Sequence, residues 1–409
     1  MKTKKKKFKW LKRFFIFIIT IIAIVYVGVF LGHKVFFKVP YSDKPTVQSI
    51  GNKGFQLGAA AKAQPLTISD FIKVFALQVK RYNEVSSSLW PNNPLVNQYV
   101  IADDYKNHQI YLIAPNGHYK KITQKEMKKY GIMRMTYNGG WSAFNKNGIE
   151  GAYIALDENA LTNYYSFERY QHIGSYDPFS TYAHELFHVS QNDWSSDSES
   201  KVNEGDRLDD SNSRKKRMLL IQQLMLAISD KNKRDIHTRD AVSTYIDYKH
   251  KNKKDYKIAL LKDRIEGTAY YYELMSSLYA GYPEIISTDS DVYHALELLM
   301  ANDNPMYRAT GLPDESYEMG GFAGILLDMQ AIARGQDSND WKRKIEKDPL
   351  LTPMDLLASS YQTNSLPAVK KIPTSGEYEK WVGEMEKMQH RGTGPQNIFA
   401  FLYDHLYHF

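Results

Sequence analysis

Apolar residues along this chain recur at helical spacing in most segments and at strand-like spacing in one early region. A helical stripe runs through Ile68, Phe71, Ile72, Phe75 and Val79, which predicts a helix over residues 69–85. Residues 99–102, 109–114, 118–123 and 151–156 are short and apolar, and they predict strands. The Asn116-Gly117 pair between the second and third of these is typical of a hairpin turn.

The later part of the chain is predicted to be helical. Residues 193–217 are polar and charged, which indicates an exposed loop. Helices are expected over residues 218–229, 238–248, 257–280, 291–300, 320–333 and 375–388. The expected fold class is therefore α+β, with a small sheet-containing lobe over residues 67–192 and a mainly helical lobe over residues 193–409.

Residues 14–32 form an uncharged, Ile- and Phe-rich run of the length needed to cross a bilayer. Eight basic residues and no acidic one precede it in residues 1–13, which places the N-terminus in the cytoplasm and the rest outside. A cleaved signal peptide is the alternative, but the run is long for one and no small-residue cleavage site follows closely. We expect a single-pass signal anchor, a linker over residues 33–66 and an extracellular domain over residues 67–409.

The chain contains no cysteine, so it forms no disulfide and offers no thiolate ligand. An exported chain without disulfides suits the surface of a Gram-positive bacterium. The net charge of +7 comes largely from residues 1–13, and the remainder is near neutral. The basic balance is therefore weak evidence for nucleic acid, and we expect no nucleic-acid partner.

One motif carries recognisable chemistry. Residues 184–188 read His-Glu-Leu-Phe-His, an H-E-x-x-H sequence. On a helix, His184 and His188 lie on the same face and can bind one zinc ion, while Glu185 reaches a water molecule beside it. Asp177-Pro178 upstream is a favourable helix start. The strand predicted at residues 151–156 offers a sheet edge on which an extended peptide could dock.

A catalytic zinc site normally needs a third protein ligand. A third histidine in the H-E-x-x-H-x-x-G-x-x-H pattern is excluded, because Gln191 and Trp194 occupy the last two pattern positions. Two carboxylates remain as candidates. Glu204 follows closely but lies in a run without apolar periodicity, whereas Glu266 lies in a predicted amphipathic helix. We prefer Glu266, and we expect the neighbouring Gly267 to let that helix approach the motif helix closely.

With these motifs the chain resembles the gluzincin metallopeptidases, in which H-E-x-x-H is completed by a glutamate from a later helix. The resemblance implies a zincin-like fold, one Zn²⁺ held by His184, His188 and Glu266, and Glu185 as general base. It covers roughly residues 95–340, and the long separation between His188 and Glu266 differs from that of thermolysin-like members. We therefore expect a gluzincin-type peptidase and assign it to no family within that class.

Supporting residues can be proposed around this site. Tyr270 and Glu273 follow Glu266 at i+4 and i+7, so either could orient a ligating imidazole. Tyr317, expected in a loop before a helix, could stabilise an oxyanion by resemblance to gluzincins, with Arg264 as its rival.

The expected function is hydrolysis of peptide bonds in a peptide or protein substrate outside the cell. A zinc-dependent amidase acting on cell-wall peptides or other surface conjugates is an alternative that keeps the metal. A non-catalytic surface binding protein on a peptidase scaffold is the alternative from another class, and the intact His184, Glu185 and His188 argue against it.

Overall fold

A computed structural model describes residues 67–91, 95–137, 140–157, 178–192, 194, 211–281, 286–302 and 314–371, together with Val27. All of these except Val27 lie within one compact unit, Thr46–Thr374. The predicted anchor at residues 14–32 (save Val27), the linker and the helix at residues 375–388 lie outside the described residues. Among the helices that are described, none combines the length and apolar character needed to span a bilayer.

The sheet has five strands in the order β3-β2-β1-β5-β4. The strands are β1 (Tyr99–Asp104), β2 (Gln109–Ile113), β3 (Tyr119–Ile122), β4 (Trp141–Lys146) and β5 (Ile149–Leu156). Strands β1 and β5 are parallel, with Ile101 opposite Tyr153, and the other pairs are antiparallel. The predicted hairpin joins β2 to β3, and Gly117 in its turn has φ +80, a conformation that glycine adopts without strain.

The expectation of a free sheet edge at residues 151–156 is wrong. Strand β5 is bonded on both sides, by β1 and by β4. The sheet edge next to β5 is β4. The sequence did not predict this strand, because only Phe144 of its six residues is buried.

Helices cover both faces of the sheet. Helix α1 (Ile68–Leu89) begins at Thr67, whose hydroxyl accepts a hydrogen bond from the amide of Asp70, and it packs on β1 and β2. Helix α3 (Pro178–Gln191), which carries the H-E-x-x-H motif, packs on the same core against β4 and β5. The short α2 (Gln124–Lys129) covers the opposite face through the buried Met127.

The second lobe is helical within the part of the chain that is described. Its elements are α4 (Ser211–Ser229), α5 (Arg234–Lys251), α6 (Lys253–Gly281), α7 (Asp289–Asn302), α8 (Asp314–Ala333), α9 (Asp340–Lys347) and α10 (Pro353–Ser359). Helices α1, α3, α6 and α8 pack in succession, so the motif helix contacts α6 and α6 contacts α8. The described structure is thus of the α+β class.

The predicted exposed loop at residues 193–217 is wrong over its last seven residues, which belong to α4. Arg214 and Arg217 are fully buried there. Arg217 pairs with both oxygens of Asp263 on α6, at 2.7 and 2.9 Å, and with Glu315 on α8 at 2.7 Å. The polar composition of this segment predicted exposure to solvent, but the charged groups of Arg217, Asp263 and Glu315 pair with one another in the interior.

Gly267 allows a close helix approach, but not the predicted one. A Cβ atom on Gly267 would lie 2.4 Å from the Cα of Gly320, so the glycine faces α8 and not the motif helix. The reason is the helical turn of about 100° per residue, which directs Gly267 away from the face that presents Glu266.

Candidate metal centre

Three side chains from two helices converge on one point. Nε2 of His184 and Nε2 of His188, both on α3, lie 3.1 Å apart. Oε2 of Glu266, on α6, lies 3.2 Å from each of these nitrogens. Among the described residues this is the one group of three histidine or acidic side chains whose ligand atoms lie close enough to share a metal ion.

The other ring nitrogen of His184 contacts a second carboxylate. Nδ1 of His184 lies 3.0 Å from Oε2 of Glu273, two helical turns after Glu266 on α6. A carboxylate accepts hydrogen bonds, so Nδ1 donates to Glu273, and a neutral His184 that keeps this proton presents the lone pair of Nε2 to the cluster. Glu273 therefore occupies the position that the sequence suggested for a carboxylate orienting a ligating imidazole.

The corresponding partner of His188 is Gln191. The side-chain Nε2 of Gln191 donates to the backbone carbonyl of Ile265 and to Oγ1 of Thr268, each at 2.8 Å. A carbonyl can only accept, so this contact fixes the orientation of the amide and turns Oε1 toward Nδ1 of His188, 2.5 Å away. Nδ1 of His188 must then donate, and its Nε2 lone pair also faces the cluster.

This arrangement fits a zinc ion. When both imidazoles are neutral and keep their Nδ1 protons, two nitrogen lone pairs and one carboxylate oxygen face each other, and a cation placed between them is attracted by all three. In tetrahedral coordination with bonds near 2.0–2.1 Å, ligand atoms are about 3.3 Å apart. The observed separations of 3.1 and 3.2 Å agree with that value. Two histidines, one carboxylate and no thiolate form a donor set typical of catalytic zinc.

The protonation states of His184 and Glu266 depend on each other. Burial opposes protonation of His184, but hydrogen bonds to Glu266 and Glu273 outweigh it and raise the pKa of His184 to about 10. Burial likewise opposes ionisation of Glu266, yet the two imidazoles hold its pKa well below its usual range. In the absence of a metal, a proton shared in this cluster takes the place of the cation.

Glu185 lies on the motif helix between the two histidines and is half-buried. Burial is the largest influence on its carboxyl group and raises its pKa above the usual range, while His184 and His188 oppose the shift. A carboxyl group with a raised pKa, close to a metal site, is suited to accept and return a proton.

Tyr317 and Arg264, the two oxyanion candidates, have different surroundings. The ring of Tyr317 lies 5.2 Å from the ring of His184, centroid to centroid, and the residue is in the first turn of α8 and not in the predicted loop. The buried guanidinium of Arg264 donates to the carbonyl of Ile345 at 2.8 and 3.1 Å and covers the ring of Trp194. These contacts give Arg264 a structural role at the end of α9 and favour Tyr317.

Tyr270 is buried and packs against a neighbour of the site. Its ring packs against those of Tyr317 and Phe322, with centroids 6.2 Å apart in both cases. Of the two residues proposed to orient an imidazole, Glu273 thus contacts His184, and Tyr270 contacts the neighbouring tyrosine.

Two further outcomes concern the third ligand. Glu266 is brought to the two histidines, whereas Glu204 lies outside the described residues. Gln191 contacts His188 but was not among the predicted site residues, since it entered only as the position where the longer histidine pattern has glycine. Its spacing of three residues from His188 on the same helix is the signal that could have identified it.

Comparison of the chain with protein-family models, with curated proteins and with solved structures found no match.

Proposed function

We propose that this chain is a zinc-dependent peptidase with a zincin-like catalytic unit. The observation that supports the proposal most strongly is the convergence of Nε2 of His184, Nε2 of His188 and Oε2 of Glu266, with Glu185 between the two histidines. Zinc bound there supplies Lewis acidity, which polarises a carbonyl group and lowers the pKa of a water molecule toward neutrality.

Residues of the chain transfer the proton, orient the imidazoles and stabilise the oxyanion. Glu185 removes a proton from the attacking water and delivers it to the leaving amine, and its raised pKa suits both steps. Glu273 and Gln191 hold the two imidazoles in the tautomer that keeps each Nε2 lone pair available. The hydroxyl of Tyr317 donates to the oxyanion that develops on the substrate carbonyl.

Strand β4 supplies the edge for an extended substrate. It is the outer strand on the side of the sheet that contacts the motif helix, and among the described residues no further strand pairs with it. A peptide that adds to β4 by backbone hydrogen bonds would run alongside α3. The run at residues 14–32 supports the further proposal that the unit is anchored at the outer face of a bacterial membrane.

The proposal is tested on the purified full-length chain. Metal content is measured by mass spectrometry for wild type, Glu185→Gln and Glu266→Ala, with thermal melting as the test of folding. Cleavage of a peptide library and of cell-wall peptides is measured in parallel. Glu84→Gln, which changes an exposed carboxylate on α1, is the matched control.

We expect wild type and Glu84→Gln to bind one zinc ion and cleave the library. Glu185→Gln should retain zinc and lose turnover, and Glu266→Ala should fold with much weaker zinc binding. Activity in Glu185→Gln would refute the mechanism. Cleavage confined to cell-wall peptides would identify the amidase instead, and bound zinc without any cleavage would favour the binding protein.

A further inference from the structure

Five exposed lysines lie on or beside helix α2 of the sheet-containing lobe. We call them the lysine cluster: Lys120 on β3, Lys125, Lys128 and Lys129 on α2, and Lys146 at the end of β4. Lys120 shares the sheet face of Ile122, which packs with Met127 of α2, whereas Lys121 lies on the other face, over the ring of Tyr111. The β4–β5 turn joins the end of α2, because Asn147 donates to the backbone carbonyl of Lys129 at 2.9 Å. Lys146, at the end of β4, is therefore near the end of α2 that carries Lys129.

The positive charge of the cluster is only partly offset within the described residues. None of the five ammonium groups forms an ion pair within 4.0 Å there, whereas Lys73, Lys80 and Lys251 elsewhere on the surface each form one. Glu126, which lies among the lysines, attracts Lys120 and Lys129 from a distance but directs its carboxylate to the amide and hydroxyl of Thr123 in a capping box. The cluster is thus a concentrated positive surface suited to an anionic partner.

The strand that carries Lys120 runs along helix α1, at whose beginning the described lobe starts. A Cβ atom on Gly117, in the turn before β3, would contact the backbone of Ala76 on α1. Tyr119, two residues later, is close enough to Lys73 to influence its charge. Strand β3 therefore runs toward the beginning of α1 at Ile68, and residues 33–66 connect to that same end.

We propose that the lysine cluster docks the lobe onto the anionic surface of the membrane that holds the anchor. The inference rests on the anchor part of the proposed function and not on the metal site. Thirty-four residues, 33–66, separate the anchor from the lobe, and even a fully extended chain of that length spans no more than about 120 Å, which keeps the lobe near the membrane surface. Docking would present the opposite parts of the lobe, rather than the cluster, to substrates away from the membrane.

The absence of cysteine permits a direct test, because a single introduced cysteine can be labelled. The full-length chain carrying Gln124→Cys, beside the cluster, or Gln336→Cys, in the helical lobe, is labelled with a fluorophore. Each protein is reconstituted into vesicles of phosphatidylcholine alone or of phosphatidylcholine with phosphatidylglycerol. Quenching by lipids with nitroxide headgroups then reports which label approaches the membrane surface.

We expect strong quenching of the label at position 124 only in vesicles that contain phosphatidylglycerol, with loss at high salt as screening increases. Replacing Lys120, Lys125 and Lys128 by glutamine should lower the ratio of docked to undocked protein on the order of 100-fold, about fivefold for each lysine. The matched control replaces the exposed Lys253, Lys254 and Lys257 by glutamine, and this equal change of net charge should leave quenching unchanged.

Three results would overturn the docking proposal. These are quenching that does not depend on phosphatidylglycerol, equal losses in both triple variants, and binding of the cluster to soluble polyphosphate without any binding to the anionic vesicles. Failure of the anchor is distinguishable, because the chain would then not float with phosphatidylcholine vesicles at all.

Discussion

The side-chain amide of Gln191 on the motif helix donates to the backbone carbonyl of Ile265, the residue immediately before Glu266. The same amide accepts a hydrogen bond from His188. One side chain therefore links the helix that carries two of the proposed ligands to the helix that carries the third.

Replacing Gln191 by leucine should weaken zinc binding by roughly 10- to 100-fold, because His188 loses the acceptor that fixes its tautomer. Competition with a chromogenic chelator measures the affinity. Thr268→Val is the matched control, since it removes one partner of the Gln191 amide and leaves the contacts to Ile265 and His188 in place. Equal affinities for wild type and the leucine variant would contradict the positioning of His188 by Gln191.

Zinc binding at neutral pH should release about one proton from His184. Its pKa of about 10 means that the metal-free protein is protonated there below that pH, and a metal ligand must be neutral. Metal affinity should consequently rise with pH by up to tenfold per unit and level off above about pH 10. Calorimetric titration in buffers of different ionisation enthalpy measures the release, and a binding heat independent of buffer would contradict it.

Gly267→Ala should destabilise the fold by about 2–3 kcal/mol, since the new methyl group would meet the backbone of Gly320 on α8. Chemical denaturation measures the free energy of unfolding. Gly281→Ala is the control, because a Cβ atom there would meet only the side chain of Gln78, at 3.9 Å. A tolerated alanine at position 267 would show that the two helices are not held this closely.

Arg217→Met should destabilise the fold by about 3–5 kcal/mol, because Asp263 and Glu315 would lose a partner in the interior. Arg343→Met on α9, which removes ion pairs at the surface with Asp337 and Asp340, should change the free energy of unfolding by less than about 1 kcal/mol. Similar small effects for both variants would show that the buried network is easily replaced.

Tyr317→Phe should lower kcat by about 100-fold while zinc content and KM stay near those of wild type, because an oxyanion donor acts mainly in the transition state. Tyr270→Phe serves as the control, because it removes a hydroxyl from a neighbouring ring that packs against Tyr317. A loss of zinc in Tyr317→Phe would instead indicate that the ring supports His184.

Much of the fold follows from local patterns. The stripe of apolar residues predicted α1, and the hairpin signal at Asn116-Gly117 predicted the β2–β3 connection. Patterns of this kind work where one face of an element is buried and the other is solvated. Strand β4, at the sheet edge, and the short α9 and α10 have too little buried surface or length to produce such a signal.

Predictions from local sequence patterns fail for polar residues in the interior. Arg214 and Arg217 are charged, so residues 193–217 were expected to be exposed, but three carboxylates from two other helices surround these arginines. Gly267 was correctly linked to close packing and assigned to the wrong partner helix. Both errors concern which distant element lies opposite a residue, and no local pattern contains that information.

The H-E-x-x-H spacing alone places His184 and His188 on one helical face, because a helix brings residues four apart into register. It also favours a carboxylate as the third ligand of the proposed site, because Trp194 stands where the longer pattern requires its third histidine. The tertiary structure decides the rest. Only the packing of α6 on α3 brings Glu266 and Glu273 to His184 and lets Gln191 bond Ile265, since these contacts join residues more than seventy positions apart.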